Sequence, residues 1–338
     1  MSALGLPVSP EAHEPAEVRG AGRDDVALLV ATRHDAELVH ARFRELPRFL
    51  TAGDLLVVNT SATLPAALDA RLGEERVEVW LSSPAADGTW LVELRTGERA
   101  RYPRPPVGAR LDLAGGARAE LLARFAGGDR LSVARFELGE PLEDYLRRHG
   151  RPIRYGYVPE SWPLDAYQTV FALEPGSAEM PSAGRPFTTG LVTELVGRGV
   201  LVAPVTLHTG VSSLERGEAP FPERFRVPPT TAQLVNAVHG WNGRVIAVGT
   251  TVVRALESVA AADGTVSEGD GWTSLVVTSE RALHVIDGLL TGWHEHDSSH
   301  LQLLEAAAGA ELLERSYRAA HQCGYLRHEF GDVHLILP

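Results

Sequence analysis

Lysine is absent from this sequence of 338 residues, and cysteine occurs once, as Cys323. Without lysine the chain has no side-chain amine for a Schiff base, so covalent imine catalysis through a lysine is excluded. A single cysteine cannot form an internal disulfide, and redox chemistry is not expected of it. All 32 basic side chains are therefore arginines.

Long apolar runs are also missing, as are the basic and apolar regions that begin a signal peptide. We therefore expect a cytoplasmic protein without a membrane partner. Hydrophobic residues make up 44% and charged residues 22% of the chain, which is typical of a globular protein with a substantial core. A length of 338 residues predicts two domains.

Positive charge is in deficit, since the formal net charge is −12. An acidic chain has no general electrostatic attraction for nucleic acid, although local basic patches can still bind phosphates. Two stretches rich in arginine and tyrosine occur, at residues 95–104 and 147–157. Each is either a patch of this kind or ordinary surface.

The stretch from 243 to 257 has the pattern of a strand, a tight turn and a helix. Four apolar residues, Val245 to Val248, predict a strand buried on both faces, and Gly249 frees the backbone to turn into a helix at Thr250 and Thr251. In open α/β sheets, ligands bind at the carboxyl ends of the strands, beside helix N-termini. This stretch is therefore a candidate wall of a binding site.

Arg254 and Glu257 lie three residues apart on the predicted helix and share one of its sides. They form either a charged, directional part of the site or an exposed ion pair that contributes little to stability.

Hydrophobic periodicity predicts an α/β fold interrupted by a small β-barrel. Apolar or strand-like runs occur at residues 26–30, 55–58, 167–172, 200–205, 245–248, 275–277, 283–285 and 333–337. Regular structure is expected to begin near Val26. Between Arg71 and Leu138, short alternating strands are separated by turns that contain glycine. We assign residues 1–68 and 151–338 to a discontinuous, mixed α/β sandwich domain and residues 69–150 to the inserted barrel.

Polar residues follow several of the predicted strands, and a long loop covers residues 173–188. If the sheet is mostly parallel, these residues gather at one edge and line a pocket with titratable groups and hydroxyls. They are Asn59, Glu174, Ser182, Thr188, His208, Thr250, Thr251 and His294.

A metal site is the alternative interpretation of the histidines near residue 294. His294, His296 and His300, with Glu295 and Asp297 between them, supply enough ligands. The helical spacing of an HExxH motif is absent, so we expect no metal.

Several motifs, in the same order, resemble the S-adenosylmethionine:tRNA ribosyltransferase-isomerase family of queuosine biosynthesis. The similar segments lie at residues 167–172, 174–176, 181–184, 187–188, 205–210, 243–254, 271–273 and 330–332. The resemblance extends from about Leu55 to the end of the chain.

The resemblance implies a large α/β sandwich domain with an inserted β-barrel. It also implies transfer and isomerisation of the ribosyl moiety of S-adenosylmethionine to the aminomethyl group of a 7-deazaguanine in tRNA, with release of adenine and methionine. The sulfonium acidifies C5′ of the ribose, so the reaction requires a base, an acid for the departing adenine, and donors for the ring oxygen, but no metal.

Residue chemistry and the matched motifs together suggest individual roles. His208 and His294 are candidates for proton transfer, and Glu174 and Asp332 for contacts with the cation or the amine. The residues expected to orient ribose and the methionine carboxylate are Ser182, Thr188, Thr250, Thr251 and Arg254. Further substrate contacts are implied for Asn59, Tyr167, Gln168, Thr169, Ala183, Gly184, Phe187, Gly249 and Glu257.

The sequence also departs from the family pattern. An Asn-Asp-Thr-Arg turn of the family is replaced by residues 59–62, Asn-Thr-Ser-Ala, and Pro186 stands where the family has a histidine. A Pro-Lys pair of the family is replaced within residues 295–299. These changes support S-adenosylmethionine as the donor better than tRNA as the acceptor.

Three hypotheses therefore remain: the family reaction on tRNA, a related enzyme that uses S-adenosylmethionine with a small-molecule acceptor, and a non-catalytic binding protein of the same fold. A monomer is expected.

Overall fold

The computed structural model describes residues 7–85, 87–97, 99–211, 221–294 and 299–338. The helices in these ranges are α1 (Leu142–His149), α2 (Thr189–Gly197), α3 (Pro229–Gly240), α4 (Thr250–Glu257), α5 (Ser299–Ala308) and α6 (Ala310–Gln322). Short 3-10 helices lie at Arg23–Asp25, Phe43–Arg48, Ala114–Gly116, Phe125–Gly127, Leu164–Tyr167 and Ser182–Gly184.

The strands of the large domain are β1 (Ala27–Thr32), β2 (Leu38–Arg42), β3 (Leu55–Asn59), β4 (Ser61–Thr63), β11 (Glu174–Ser177), β12 (Leu201–Leu207), β13 (Glu223–Val227), β14 (Val245–Val248), β15 (Gly269–Thr273), β16 (Gly288–Gly292) and β17 (Val333–Leu337). The strands of the inserted unit are β5 (Ala67–Leu72), β6 (Glu75–Pro84), β7 (Trp90–Thr96), β8 (Arg110–Leu113), β9 (Arg118–Arg124) and β10 (Leu131–Glu137).

A nine-stranded mixed sheet, ordered β15-β13-β12-β3-β14-β16-β17-β1-β2, forms the centre of the large domain. Its middle strands β12, β3, β14 and β16 are parallel to one another. Their carboxyl ends therefore lie at the same edge, which confirms the predicted gathering of strand-end loops.

Both faces of the sheet are covered, as the continuous apolar strands require. In β3, Leu55 and Val57 pack into a core with α3, α4, α5 and α6, whereas Leu56 and Val58 pack into a second core with α2 and the Phe43–Arg48 turn. Successive side chains of a strand point to opposite faces, so one apolar run supplies both cores.

The inserted unit is a closed six-stranded antiparallel barrel, ordered β10-β7-β6-β5-β8-β9. Helix α1 packs against it through Tyr145 and Leu146. A second, two-stranded sheet pairs β4 with β11, so the long loop after residue 173 is tied to the end of β3. The fold predicted from the sequence, a mixed α/β domain interrupted by a β-barrel, is thus confirmed.

Three predicted strands are wrong, because side chains take over the hydrogen bonds that a neighbouring strand would make. Residues 167–172 form the end of a 3-10 helix and a turn, and the amide of Gln168 makes two bonds to the backbone of Thr63. Residues 275–277 and 283–285 are irregular: the carbonyl of Leu275 accepts from Arg254, and Val285 N–H donates to Glu257. The strands in this region are instead β15 and β16.

The segment before Val26 is also part of the fold, contrary to expectation. Ala12 and Ala16 are buried, and the backbone near Glu11 pairs with that of Arg327. The segment before Val26 has no hydrophobic periodicity from which its structure could be predicted. Its order comes from contacts with residues far away in the sequence, such as Arg327.

Candidate active site

The strand, turn and helix around residue 249 are built as the sequence predicts. Gly249 has a φ of 98°, a backbone conformation that other residues rarely adopt, and α4 begins at Thr250. Thr251 is buried, and its hydroxyl accepts a hydrogen bond from the Asn59 amide at 3.2 Å. Both threonines line a cavity at the carboxyl edge of the sheet.

Arg254 lies one turn further along α4 and is fixed by two partners. Its guanidinium pairs with the carboxylate of Glu223 on β13, and its Nε donates to the Leu275 carbonyl at 2.8 Å. The other oxygen of Glu223 accepts the N–H of Gly210 at 2.7 Å. The Arg254 guanidinium is therefore held in one orientation in the cavity wall, and its charge is partly neutralised by Glu223.

Two histidine rings lie in contact beside α4. The ring centroids of His294 and His300 are 4.5 Å apart, and His294 Nε2 lies 3.1 Å from the hydroxyl of Thr291. Burial lowers the pKa of His294 to about 4. Burial, together with the nearby His294 and Arg254, lowers the pKa of His300 well below its usual value. Both imidazoles are therefore neutral at pH 7 and able to accept a proton.

Aromatic side chains form another part of the lining. The rings of Tyr155 and Tyr157 are nearly parallel with centroids 5.8 Å apart, and the Tyr157 and His328 rings stack at 4.0 Å. The Trp80 ring of the barrel meets Tyr155 edge-on at 5.2 Å. Stacked rings of this kind offer flat faces to a heterocyclic base.

Each of these two tyrosines donates its phenolic hydrogen to a carboxylate of the cavity. Tyr155 pairs with Glu179, and Tyr157 pairs with Glu329. Burial raises the pKa of the Glu329 carboxyl. Burial and the neighbouring Glu329 raise the pKa of the Tyr157 phenol well above its usual value.

These groups surround a cavity of about 470 Å³, a size typical of sites for small organic ligands. We name its two sides by their residues. The sheet wall comprises Thr250, Thr251, Arg254, His294 and His300, and the aromatic wall comprises Tyr155, Tyr157, Tyr167, His328 and Glu329.

Eight of the residues predicted from the sequence line this cavity. They are Tyr167, Ser182, Ala183, Gly249, Thr250, Thr251, Arg254 and His294. The structure thus brings four separate segments of the chain to one place.

His208 and Glu174 do not line the cavity. The His208 ring packs against Gly176, where a side chain would collide with it, and its Nδ1 lies 2.7 Å from the hydroxyl of Ser61. Burial lowers the pKa of His208. Glu174 pairs instead with Arg226 on the outside of β13.

Asp332 and Glu257 also lie outside the cavity lining, and both bind backbone N–H groups. The carboxylate of Asp332 accepts from Ala27 at 2.6 Å and from Leu326 at 2.7 Å. The carboxylate of Glu257 accepts the N–H of His284 at 2.8 Å and lies 3.9 Å from the guanidinium of Arg281. The partner of Arg254 is instead Glu223. These carboxylates order the segments that flank the site.

The remaining predicted residues support the fold rather than the cavity. Asn59 joins β3 to β12 through the carbonyl and N–H of Leu207, and Thr188 caps α2 by accepting from Leu191. Phe187 is in the core, Gly184 packs against Thr169, and Gln168 binds Thr63.

Several lining residues were missed by sequence reasoning. They are Tyr155, Tyr157, Glu179, Thr209, Gly210, Glu223, His328 and Glu329; His300, named above only in the metal alternative, lines the cavity too. The signals for some were present, because Thr209 and Gly210 follow His208, and His328 and Glu329 precede the Phe330-Gly331-Asp332 segment. Nothing in their own periodicity distinguishes them from surface residues.

Among the described residues, no group of three or more His, Cys, Asp or Glu side chains is arranged to hold a metal ion. Glu295, His296 and Asp297, which the metal alternative requires, lie outside the described residues. In the same part of the chain, no helix is long and apolar enough to cross a membrane.

Known proteins resemble this chain over nearly its whole length. The family described as "Queuosine biosynthesis protein" matches residues 4–336. An S-adenosylmethionine:tRNA ribosyltransferase-isomerase of Moorella thermoacetica is 38% identical, covering 98% of this chain and 97% of its own. One of the same name from Acidiphilium cryptum is 37% identical, covering 90% and 93%.

A solved structure of a protein with a similar name also matches this chain. The crystal structure of S-adenosylmethionine tRNA ribosyltransferase from Thermotoga maritima matches 99% of this chain and 100% of its own, with a TM-score of 0.56 and 28% identity. The chain therefore belongs to the S-adenosylmethionine:tRNA ribosyltransferase-isomerase family of queuosine biosynthesis.

Proposed function

We propose that this protein transfers and isomerises the ribosyl moiety of S-adenosylmethionine to the aminomethyl group of 7-aminomethyl-7-deazaguanine in tRNA. The products are epoxyqueuosine in tRNA, adenine and methionine. The relatives carry the name of this activity. Because tRNA is the acceptor, we expect the reaction to take place in the cytoplasm.

One observation carries the proposal: neutral histidines, a fixed arginine and stacked aromatic rings line the same cavity. The sulfonium acidifies C5′, so a neutral imidazole close to that carbon can remove its proton. We assign this step to the His294 and His300 pair, because both rings line the cavity and burial keeps both neutral, so either can accept the proton.

The sheet wall also has the groups to hold the donor. Arg254 places a positive charge in this wall that can attract the methionine carboxylate, while its Nε and one terminal nitrogen stay bonded to Leu275 and Glu223. The hydroxyls of Thr250 and Thr251 stand at the α4 N-terminus, where they can bind ribose oxygens. The departing adenine would then lie against the aromatic wall.

Arginines beside the cavity favour a nucleic acid as the acceptor. The two arginine-rich stretches of the sequence meet at the buried Glu78, which is 3.4 Å from Arg99 and 3.5 Å from Arg151. Arg154 lies close enough for both arginines to lower its pKa, after the larger effect of burial.

A second buried carboxylate, Glu93, is surrounded by three more arginines. Arg95 lies at 2.6 Å, Arg130 at 3.4 Å and Arg101 at 3.6 Å. Arg95 also stacks over Trp80 at 4.3 Å, which places this charge beside the aromatic wall. Together with Asp69, which pairs with Arg151, three carboxylates face six arginines. Because only 3% of the Arg130 side chain is exposed, we name the other five arginines the basic patch: Arg95, Arg99, Arg101, Arg151 and Arg154.

The departures from the family pattern leave the cavity lining intact where the structure describes them. Thr60 and Ser61 are hydrogen-bonded to β12, Ser177 and His208, and neither they nor Pro186 line the main cavity. The replacement within residues 295–298 falls outside the described residues.

The test is release of adenine from S-adenosylmethionine with three acceptors: none, free 7-aminomethyl-7-deazaguanine, and tRNA that carries this base. Release only with the tRNA is expected. The net charge of −12 favours the small-molecule alternative, and release with the free base alone would support it. No release with any acceptor would support a non-catalytic binding protein.

A further inference from the structure

Two similar pairs of tyrosine and glutamate occur in the cavity, but their surroundings differ. Glu179 follows β11 in the long loop, whereas Glu329 lies in the irregular segment before β17. Glu329 accepts the phenolic hydrogen of Tyr157, next to the neutral ring of His328, whose pKa burial and Arg327 lower to about 3. Burial raises the pKa of Glu329 against the opposing effect of the hydrogen bond from Tyr157, so its carboxyl holds a proton more readily than that of an exposed glutamate.

Tyr167 supplies an independent indication of a ligand at this place. Its side chain is only 4% exposed, and its hydroxyl has no hydrogen-bond partner among the described residues. Burial and the nearby Glu329 raise its pKa to about 12, so the hydroxyl remains a neutral donor. A buried hydroxyl without a partner costs free energy, which a bound acceptor in the cavity would recover.

The proposed reaction requires an acid that the sheet wall does not provide. Adenine departs with the electron pair of its bond to ribose, and the resulting anion needs a proton. The sheet wall contains neutral histidines that accept protons and an arginine that stays charged. A protonated carboxyl group beside stacked rings has both the proton and a position near a planar base.

We propose that Glu329, as a carboxylic acid held by Tyr157, is the catalytic acid that protonates the departing nucleobase, with Tyr167 as a second hydrogen-bond donor to that base. This inference rests on the proposed function, because it assigns a step of that reaction.

The step balances in atoms and electrons. The histidine pair removes a proton from C5′, and the electron pair left there forms the C4′–C5′ double bond as the C4′–O4′ bond breaks. The pair on O4′ forms a carbonyl with C1′, and the C1′–N9 bond breaks with its electrons moving to N9. Glu329 gives its proton to the purine and becomes a carboxylate. Solvent then returns a proton to Glu329 and takes one from the histidines.

The test compares Glu329→Gln with wild type on two donors, S-adenosylmethionine and its analogue with hypoxanthine in place of adenine. Glutamine can still accept from Tyr157 but has no acidic proton. Hypoxanthine is the better leaving group, because its anion is the weaker base. We expect release of adenine to slow by about 100-fold or more, and release of hypoxanthine to slow by a smaller factor. Both are measured in single turnovers with the precursor tRNA.

Glu179→Gln is the matched control, since it removes the carboxylate of the other tyrosine pair. It is expected to keep the wild-type ratio of the two release rates, whatever its effect on binding. Tyr157→Phe is expected to slow adenine release by about tenfold and to shift the ratio in the same direction as Glu329→Gln.

An equal loss with both donors in Glu329→Gln, or no loss at all, would overturn the assignment. An equal loss indicates a structural or binding role, because a misfolded site cannot distinguish leaving groups. If wild type releases neither base with any acceptor, the proposed function itself fails. If wild type is active but Glu329→Gln has the same ratio of adenine to hypoxanthine release as wild type, the proposed function stands and another group is the acid.

Discussion

The sheet wall and the aromatic wall of the cavity are built in different ways. The sheet wall follows from the ends of parallel strands, and its one cation, Arg254, is already paired with Glu223. The aromatic wall comes from segments without regular strands or long helices, and it contains the hydroxyl of Tyr167, which has no hydrogen-bond partner in the described part of the chain. The cation of the sheet wall is already held by the protein, whereas the aromatic wall holds a hydroxyl whose hydrogen bonding a ligand would complete.

The largest expected effect comes from removing the proposed base of the sheet wall. His294→Ala should slow adenine release by about 1000-fold, because general base catalysis contributes about 100- to 10,000-fold. His208→Ala is the control, since that ring lies outside the cavity lining and contacts Ser61. It should retain the wild-type rate of adenine release. A similar loss in both variants would return His208 to the mechanism.

Breaking the scaffold should be the next largest effect. Arg254→Ala leaves Glu223, whose side chain is 7% exposed, as a buried carboxylate without its cation. We expect the free energy of unfolding in urea to fall by about 3 kcal/mol. Adding Glu223→Gln should restore part of it. Arg226→Ala, which breaks a half-exposed pair with Glu174, should cost less than about 1 kcal/mol. Equal losses would contradict a scaffold role for Arg254.

A buried layer behind the sheet wall offers a smaller effect. His334 stacks on Trp293 at 4.8 Å and is fully buried, and neither of its ring nitrogens has a hydrogen-bond partner among the described residues. Because phenylalanine has no polar atoms to satisfy, His334→Phe should raise the free energy of unfolding at pH 7 by about 1 kcal/mol. A decrease at pH 7 would indicate that the imidazole has a partner.

The same variant should change the dependence of stability on pH. Burial lowers the pKa of His334 from 6.5 to about 3. Between these two pH values the unfolded chain binds a proton on His334 and the folded chain does not. The free energy of unfolding therefore decreases as the pH falls from 6.5 toward 3. Urea unfolding at several pH values should show a shallower decline in His334→Phe than in wild type. Parallel declines would show that this histidine does not titrate as described.

The smallest effect concerns the basic patch beside the aromatic wall. Arg154→Ala should weaken precursor tRNA binding by about threefold and reduce the salt dependence by about one unit of log K against log salt. Arg118→Ala is the control, because this exposed barrel arginine pairs with Asp112 outside the basic patch. An equal loss of tRNA affinity in both variants would mean that binding depends on the total charge of the protein and not on the basic patch.

The contrast between the walls also explains what the sequence could predict. Apolar runs such as Val245–Val248 determined the strands, and the turn at Gly249 followed from one residue. Sequence reasoning therefore found the parallel strands, the inserted barrel and Thr250, Thr251, Arg254 and His294 of the cavity lining.

It could not find the aromatic wall, because stacking between Tyr157 and His328 joins residues far apart in the chain. For the same reason it also selected His208, Glu174 and Asp332, which follow or precede strands but bind Ser61, Arg226 and the backbone of Ala27 and do not line the cavity. A polar residue at a strand end can serve the loop or the ligand, and only the three-dimensional arrangement distinguishes the two.

The position of β1 in the sheet has a consequence for synthesis on the ribosome. β1 lies between β2 and β17 in the sheet, and Leu28 of β1 is paired with Val333 of β17. β1 can therefore complete its pairing only after the end of the chain has been synthesised. The six strands of the barrel, in contrast, all lie between Ala67 and Glu137, so they can pair while the chain is still growing. Since only three residues separate Glu329 from Val333, the first residue of β17, the aromatic wall is completed in the same late step that pairs β1. The nascent protein therefore gains its barrel early and completes the cavity last.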